Sequence, residues 1–211
     1  MEFIIPESIE SRRAEFASYV LSALRNIKNF AYKNEWGDLT EEPFIERVMI
    51  FDDKREFDRN LLQLVDADPE IELPETYCAA LENRVLVIVT PEIYAQVFPE
   101  GIEKDSYEKL ITHEIAHRFH IRILEGNEEG MGPVWFYEGF AIYVANQFGS
   151  SKLQLSREKM VDIMTNPARG SYQNYGYIFR QFAEQIPIHK LIEMAKFESF
   201  NEQLISIFDL S

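Results

Sequence analysis

Ile111-Thr112-His113-Glu114-Ile115-Ala116-His117-Arg118-Phe119 stands near the middle of the chain, and the rest of the sequence is best read outward from it. Two histidines four residues apart lie on one face of a helix, a turn from each other. From there two imidazoles can reach a single metal ion. Glu114, beside the first of them, can approach from the side a water that the ion holds. A carboxylate so placed can take the water's proton and pass it to a leaving amine. The chain has four histidines, and the other two, His120 and His189, have no motif around them. They read as ordinary polar side chains.

Two histidines do not close a catalytic zinc site, which normally has three protein ligands and an open position. A third histidine in the pattern H-E-x-x-H-x-x-G-x-x-H is excluded, because His120 takes the place of the Gly and Ile123 that of the last His. A glutamate on a following helix is the other solution. Glu138 stands in Trp135-Phe136-Tyr137-Glu138-Gly139-Phe140-Ala141, flanked almost entirely by apolar and aromatic residues. A buried carboxylate without a partner is costly, and a metal removes that cost. The loop through Gly130, Gly132 and Pro133 is long enough to bring this helix back beside the first.

The pairing of His113-Glu114-Ile115-Ala116-His117 with Trp135-x-x-Glu138-Gly139-Phe140-Ala141 resembles the gluzincins of the peptidase MA superfamily, and within them the catalytic domain of the aminopeptidase N family. Upstream, Ala79-Ala80-Leu81-Glu82-Asn83 resembles that family's G-x-M-E-N motif, with Ala79 for the Gly and Leu81 for the Met. The resemblance spans roughly residues 45–185. It implies a zinc-dependent peptidase with Zn2+ on His113, His117 and Glu138, and Glu114 as general base. It also implies that Glu82 holds the substrate's amino group. The strand that follows, Val85-Leu86-Val87-Ile88-Val89, can then receive an extended peptide as an added strand. The implied substrate is a peptide or protein. A site with the same fold and zinc ligands but no turnover, acting as a binding module, is the alternative.

A donor to the oxyanion of the tetrahedral intermediate is also needed. In the resembling family it is a downstream tyrosine. Tyr172, Tyr175 and Tyr177 are the candidates here, and the resemblance to short gluzincin-like peptidases, which carry a Tyr at the approach to their next core helix, points to Tyr172. Thermolysin-like gluzincins place an Asp four residues after the ligand glutamate to orient a histidine. Ile142 occupies that position, so another group must serve.

Around the site the pattern is α+β, and the resemblance implies a thermolysin-like fold in a single catalytic domain over 1–211. An N-terminal lobe with a small mixed sheet and helices covers about 1–125, and a helical lobe about 126–211. The apolar spacing predicts helices over 8–33, with Ser8 as N-cap, and over 54–64, capped by Asp52 or Asp53. Strands are expected at 46–51, 76–80 and 85–89, the last stopped by Pro91. Further helices are expected from 105 or 106 to about 124, with Gly126 as C-cap, and at 134–147, 153–165, 172–185, 188–197 and 200–209.

Composition narrows the function classes. Of the 211 residues 46% are apolar, with 16 Phe and 10 Tyr, which is enough for a packed core. A formal net charge of −15 repels phosphate backbones and anionic membrane surfaces, so neither a nucleic acid nor a membrane is an expected partner. The first residues, Met1 to Glu7, lack the basic and apolar stretches of a secretory leader. Cys78 is the single cysteine and reads as a small packed residue. These features together suggest a cytoplasmic protein.

Overall fold

A computed structural model describes residues 1–209. It shows an α+β protein with nine α-helices and one mixed four-stranded sheet among the described residues. The chain divides into two compact units, Met1–Arg118 and the part from Phe119 onward. No helix among the described residues is long and apolar enough to cross a membrane.

The first unit holds the sheet. Strand β1 (Glu2–Ile4) is followed by α1 (Arg13–Lys33), β2 (Arg47–Phe51), α2 (Lys54–Leu64), β3 (Ala79–Glu82), β4 (Val85–Val89) and α3 (Pro91–Val97). The strand order is β1-β2-β4-β3. β1, β2 and β4 run parallel, and β3 returns antiparallel to β4. Leu86, Val87, Ile88 and Val89 of β4 are all buried, as a central strand covered on both faces requires. Helix α1 turns Phe16, Val20, Ala23, Ile27 and Ala31 into the core at helical spacing. Asp53 caps α2, its Oδ1 accepting from the Glu56 N–H at 2.9 Å.

Three local expectations change. Residues Glu7–Arg12 form a 3-10 turn before α1, and Ser8 donates to the Asp52 carboxylate instead of capping the helix. Pro91 does not only stop β4. It opens α3, its fixed φ suiting the first helical position. The strand expected at 76–80 lies at Ala79–Glu82, joined to β4 through Asn83 and Arg84, both at positive φ as a two-residue hairpin turn demands.

Helix α4 (Ser106–Ile123) carries the H-E-x-x-H stretch. The Tyr107 hydroxyl donates to the Val89 carbonyl at 2.7 Å, which ties the first turn of α4 to the end of β4. Asn26 of α1 donates to Glu108 at 2.8 Å. The helix stops where Glu125 turns left-handed and the Gly126 N–H returns to the Ile121 carbonyl at 2.9 Å.

The second unit contains the helices α5 (Val134–Val144), α6 (Arg157–Thr165), α7 (Tyr172–Ala183), α8 (Ile188–Ala195) and α9 (Phe200–Asp209). Its core is aromatic. Trp135 stacks on Phe200 with ring centroids 5.7 Å apart, and Phe136 packs against Phe179 at 5.4 Å and Phe200 at 4.9 Å. The Trp135 indole N–H donates to Asn201, which in turn donates to the Met164 carbonyl, both at 2.9 Å. The Trp135 indole and the Asn201 amide are thus both paired within the apolar core.

Candidate metal centre

His113 and His117 project from one face of α4, as their spacing dictates. Their Nε2 atoms lie 3.0 Å apart, with the rings at 84° to each other. Glu138 lies in the middle of α5. The ligand atoms of His113, His117 and Glu138 all lie within 4.8 Å of one another. A tetrahedral ion with metal–nitrogen bonds near 2.0–2.1 Å separates two ligand nitrogens by about 3.3 Å. Two nitrogens and a carboxylate oxygen converging in this way can hold one divalent cation. His113 and Glu138 are buried, and His117 and Glu114 are half-buried.

Glu138 is 2% exposed, in a helix whose other buried residues are apolar. Its Oε1 accepts from Arg169 Nη2 at 2.8 Å. The same guanidinium donates through Nη1 to the Tyr172 hydroxyl at 3.0 Å. Burial works against the charge of Arg169, but Glu138, then Tyr172 and Tyr137, more than offset it, so the guanidinium holds its proton more tightly than usual. Sequence reasoning missed Arg169. Nothing in its neighbourhood marks it, because its partners are three and 31 residues away.

The three candidate tyrosines separate by what their hydroxyls touch. Tyr175 is buried, and its hydroxyl binds the backbone of Gly170 and Ala168. Tyr177 donates to Gln154 at 3.4 Å. Tyr172 alone among them is linked to Glu138, through Arg169. Ile142, four residues after Glu138, is fully buried and packs close to Gly176.

Glu82, expected to hold a substrate amine, is ion-paired with Arg118, the residue after His117. Arg118 also donates through Nε to the Leu81 carbonyl at 2.7 Å. β3 is thereby fastened to the helix that bears the two histidines. The strand expected to receive a peptide, Val85–Val89, has no open edge, since β4 lies between β2 and β3. The edge beyond β4 belongs to β3. The Cys78 carbonyl accepts from the Val89 N–H, so by the two-residue alternation of a strand Ala79 and Leu81 turn their backbone groups outward.

His120 reads as an ordinary polar side chain in the sequence, but the structure sets it in the apolar interior. It is fully buried, with its ring 4.6 Å from that of Phe140 and 5.9 Å from that of Phe136. His189 is exposed. Cys78 is packed as expected, its thiol donating to the Thr76 carbonyl and pushed up to about 12 chiefly by burial.

Searches of family models, of curated proteins and of solved structures each return no match to this chain.

Proposed function

We propose that this chain is a zinc-dependent peptidase with a thermolysin-like catalytic fold, aminopeptidase-like in its substrate end. The observation that carries the reading is the convergence of His113, His117 and Glu138 on one point, with Glu114 next to the first histidine. Two imidazoles and one carboxylate are a donor set that suits zinc. Zinc held there would polarise a peptide carbonyl and lower the pKa of a water it binds to about 7.

The chain's own residues divide the remaining work. Glu114 accepts the proton of the attacking water and delivers it to the departing nitrogen. Tyr172 donates its hydroxyl to the carbonyl oxygen as charge grows on it. The outer edge of β3, where Ala79 turns its backbone groups outward and Arg118 already takes the Leu81 carbonyl, offers main-chain hydrogen bonds to an extended peptide. Glu82 keeps one carboxylate oxygen beyond the one that Arg118 takes, and that oxygen is the amine acceptor.

The Arg118 pair also gives the second reading its ground. A Glu82 committed wholly to Arg118 leaves a zinc-bearing binding module without an amine site.

The test uses chromogenic aminoacyl and short peptide substrates, with and without a chelator. Chelator-sensitive hydrolysis is expected, together with stoichiometric zinc by elemental analysis. Glu114→Gln should abolish turnover and keep the zinc. Full activity in that variant would reject the base assignment, and a zinc-loaded wild type without hydrolysis would favour the binding module.

A further inference from the structure

The segment 166–171 between α6 and α7 is built around one side chain. The buried Tyr175 hydroxyl binds the Gly170 N–H and the Ala168 carbonyl, one on each side of Arg169. The Ala168 N–H is held by Asn166 Oδ1 at 2.9 Å. The backbone flanking Arg169 is thus fixed from within the unit, and its guanidinium is presented from a defined place. Its fork reaches Oε1 of Glu138 at 2.8 Å and the Tyr172 hydroxyl at 3.0 Å, and it also bonds the Tyr137 side chain.

We propose that Arg169 is a positioning residue of the metal centre, taking one oxygen of Glu138 so that the carboxylate offers a cation only its other oxygen, while setting the Tyr172 hydroxyl beside the same carboxylate. The proposal rests on the reading of His113, His117 and Glu138 as ligands. A carboxylate with both oxygens available turns about its last torsion and binds a divalent ion through both. That raises the coordination number and closes the position that a hydrolytic site keeps open. A guanidinium holding one oxygen prevents this. Partners of this kind, one bond removed from the ion, orient ligands and change affinity or activity by about 10- to 100-fold when lost. Arginine suits the task because its rigid fork serves two acceptors at once.

The test uses Co2+ as the probe, because its visible absorption reports coordination number. The wild type should take up stoichiometric Co2+ and show the intense bands of a four-coordinate site. Arg169→Met should show the weaker bands of a higher coordination number, with unchanged far-ultraviolet circular dichroism. Arg169→Lys, which keeps a donor to Glu138, should return the wild-type spectrum. Arg169→Gln, neutral and shorter, is read in the same way as the Met variant if that variant does not fold. A wild-type spectrum in Arg169→Met, or in Arg169→Gln where the Met variant does not fold, would overturn the proposal and leave the ligand assignment standing. A wild type that takes up no Co2+, or a His113→Ala variant that binds it as well as the wild type, would overturn both.

Discussion

Gly139 directly follows the candidate ligand, and the structure says why an alanine there should be felt. A Cβ built at this position lies 2.9 Å from Phe179 Cβ and 2.9 Å from the Tyr175 carbonyl oxygen. Neither atom is the end of a flexible side chain. Carbon atoms settle at about 3.5–4.0 Å from each other, so α5 and α7 would have to part by roughly 0.5–1 Å. The approach is close from the other side too, since a Cβ at Gly176 would meet Ile142 Cγ2 at 2.5 Å. Overpacking of this kind costs about 1–3 kcal/mol, and rigid neighbours place it near the upper end. Alanine recovers about 1 kcal/mol of helix propensity over glycine. The net for Gly139→Ala is a loss of about 2 kcal/mol, which is a fall in Tm of about 4–8 °C for a chain of this size. Thermal unfolding followed by circular dichroism measures it directly. Glu138 moves with α5, so zinc affinity should fall together with Tm, by about tenfold if displacing the ligand costs as much as losing an orienting partner. An unchanged or raised Tm would show that the two helices have room to spare, and the argument from close approach would fail.

Two further outcomes follow from the first unit. Burial raises the thiol of Cys78 to about 12 and raises the hydroxyls of Tyr94 and Tyr107 as well. In the unfolded chain these groups ionise near 8.5 and near 10. The folded state therefore keeps protons that the unfolded state releases, and stability is lost as the pH rises above about 8.5. Urea midpoints should decline from pH 8.5 to 10, less steeply in Cys78→Ala, and a flat profile in the wild type would contradict the burial argument. Arg118→Met removes the bond to the Leu81 carbonyl and the pair with Glu82. Glu82 is more than a third exposed, so the ion pair counts for little, and the loss should be about 1 kcal/mol. Hydrogen exchange should show weaker protection in β3 and unchanged protection in β2, and equal protection in β3 would refute the fastening role.

What could be read from the sequence was what short-range patterning determines. The Val85–Val89 strand, the 54–64 helix with its Asp53 cap and the helix of the two histidines all announce themselves by spacing, and each lies where expected. Glu138 was legible for a different reason. It is a single charge in an apolar run, and burying it needs an explanation that few groups can supply. β1 was not legible, because three residues carry no periodicity and their partner strand lies more than 40 residues on. The place of β4 in the sheet was misread for the same reason. A run of apolar residues says that a strand is buried but not which neighbours bury it. Arg118 and Arg169 were invisible because their roles depend on contacts between distant segments, and an isolated arginine in a sequence has no pattern to betray them.

The electrostatics of Glu138 carry the case for a cation one step further. Its side chain is 3% exposed, while that of Arg169 is 44% exposed. The guanidinium is screened by solvent on its own exposed side. It is therefore partial compensation for a carboxylate taken almost wholly out of water. The His113 and His117 nitrogens, 3.0 Å from each other, are the other groups that converge with the Glu138 carboxylate, within 4.8 Å. Protonating both imidazoles would set like charges together, and protonating one would supply a single charge. A divalent ion supplies two, and can be shared by both nitrogens and a carboxylate oxygen at once. On this account Glu138→Gln removes the anionic ligand and the buried charge together. The metal-free protein should then be as stable as the metal-free wild type or more so, while zinc binding is lost. A variant that both kept zinc and lost metal-free stability would show that Glu138 is held for packing, and that the cation has no part in it.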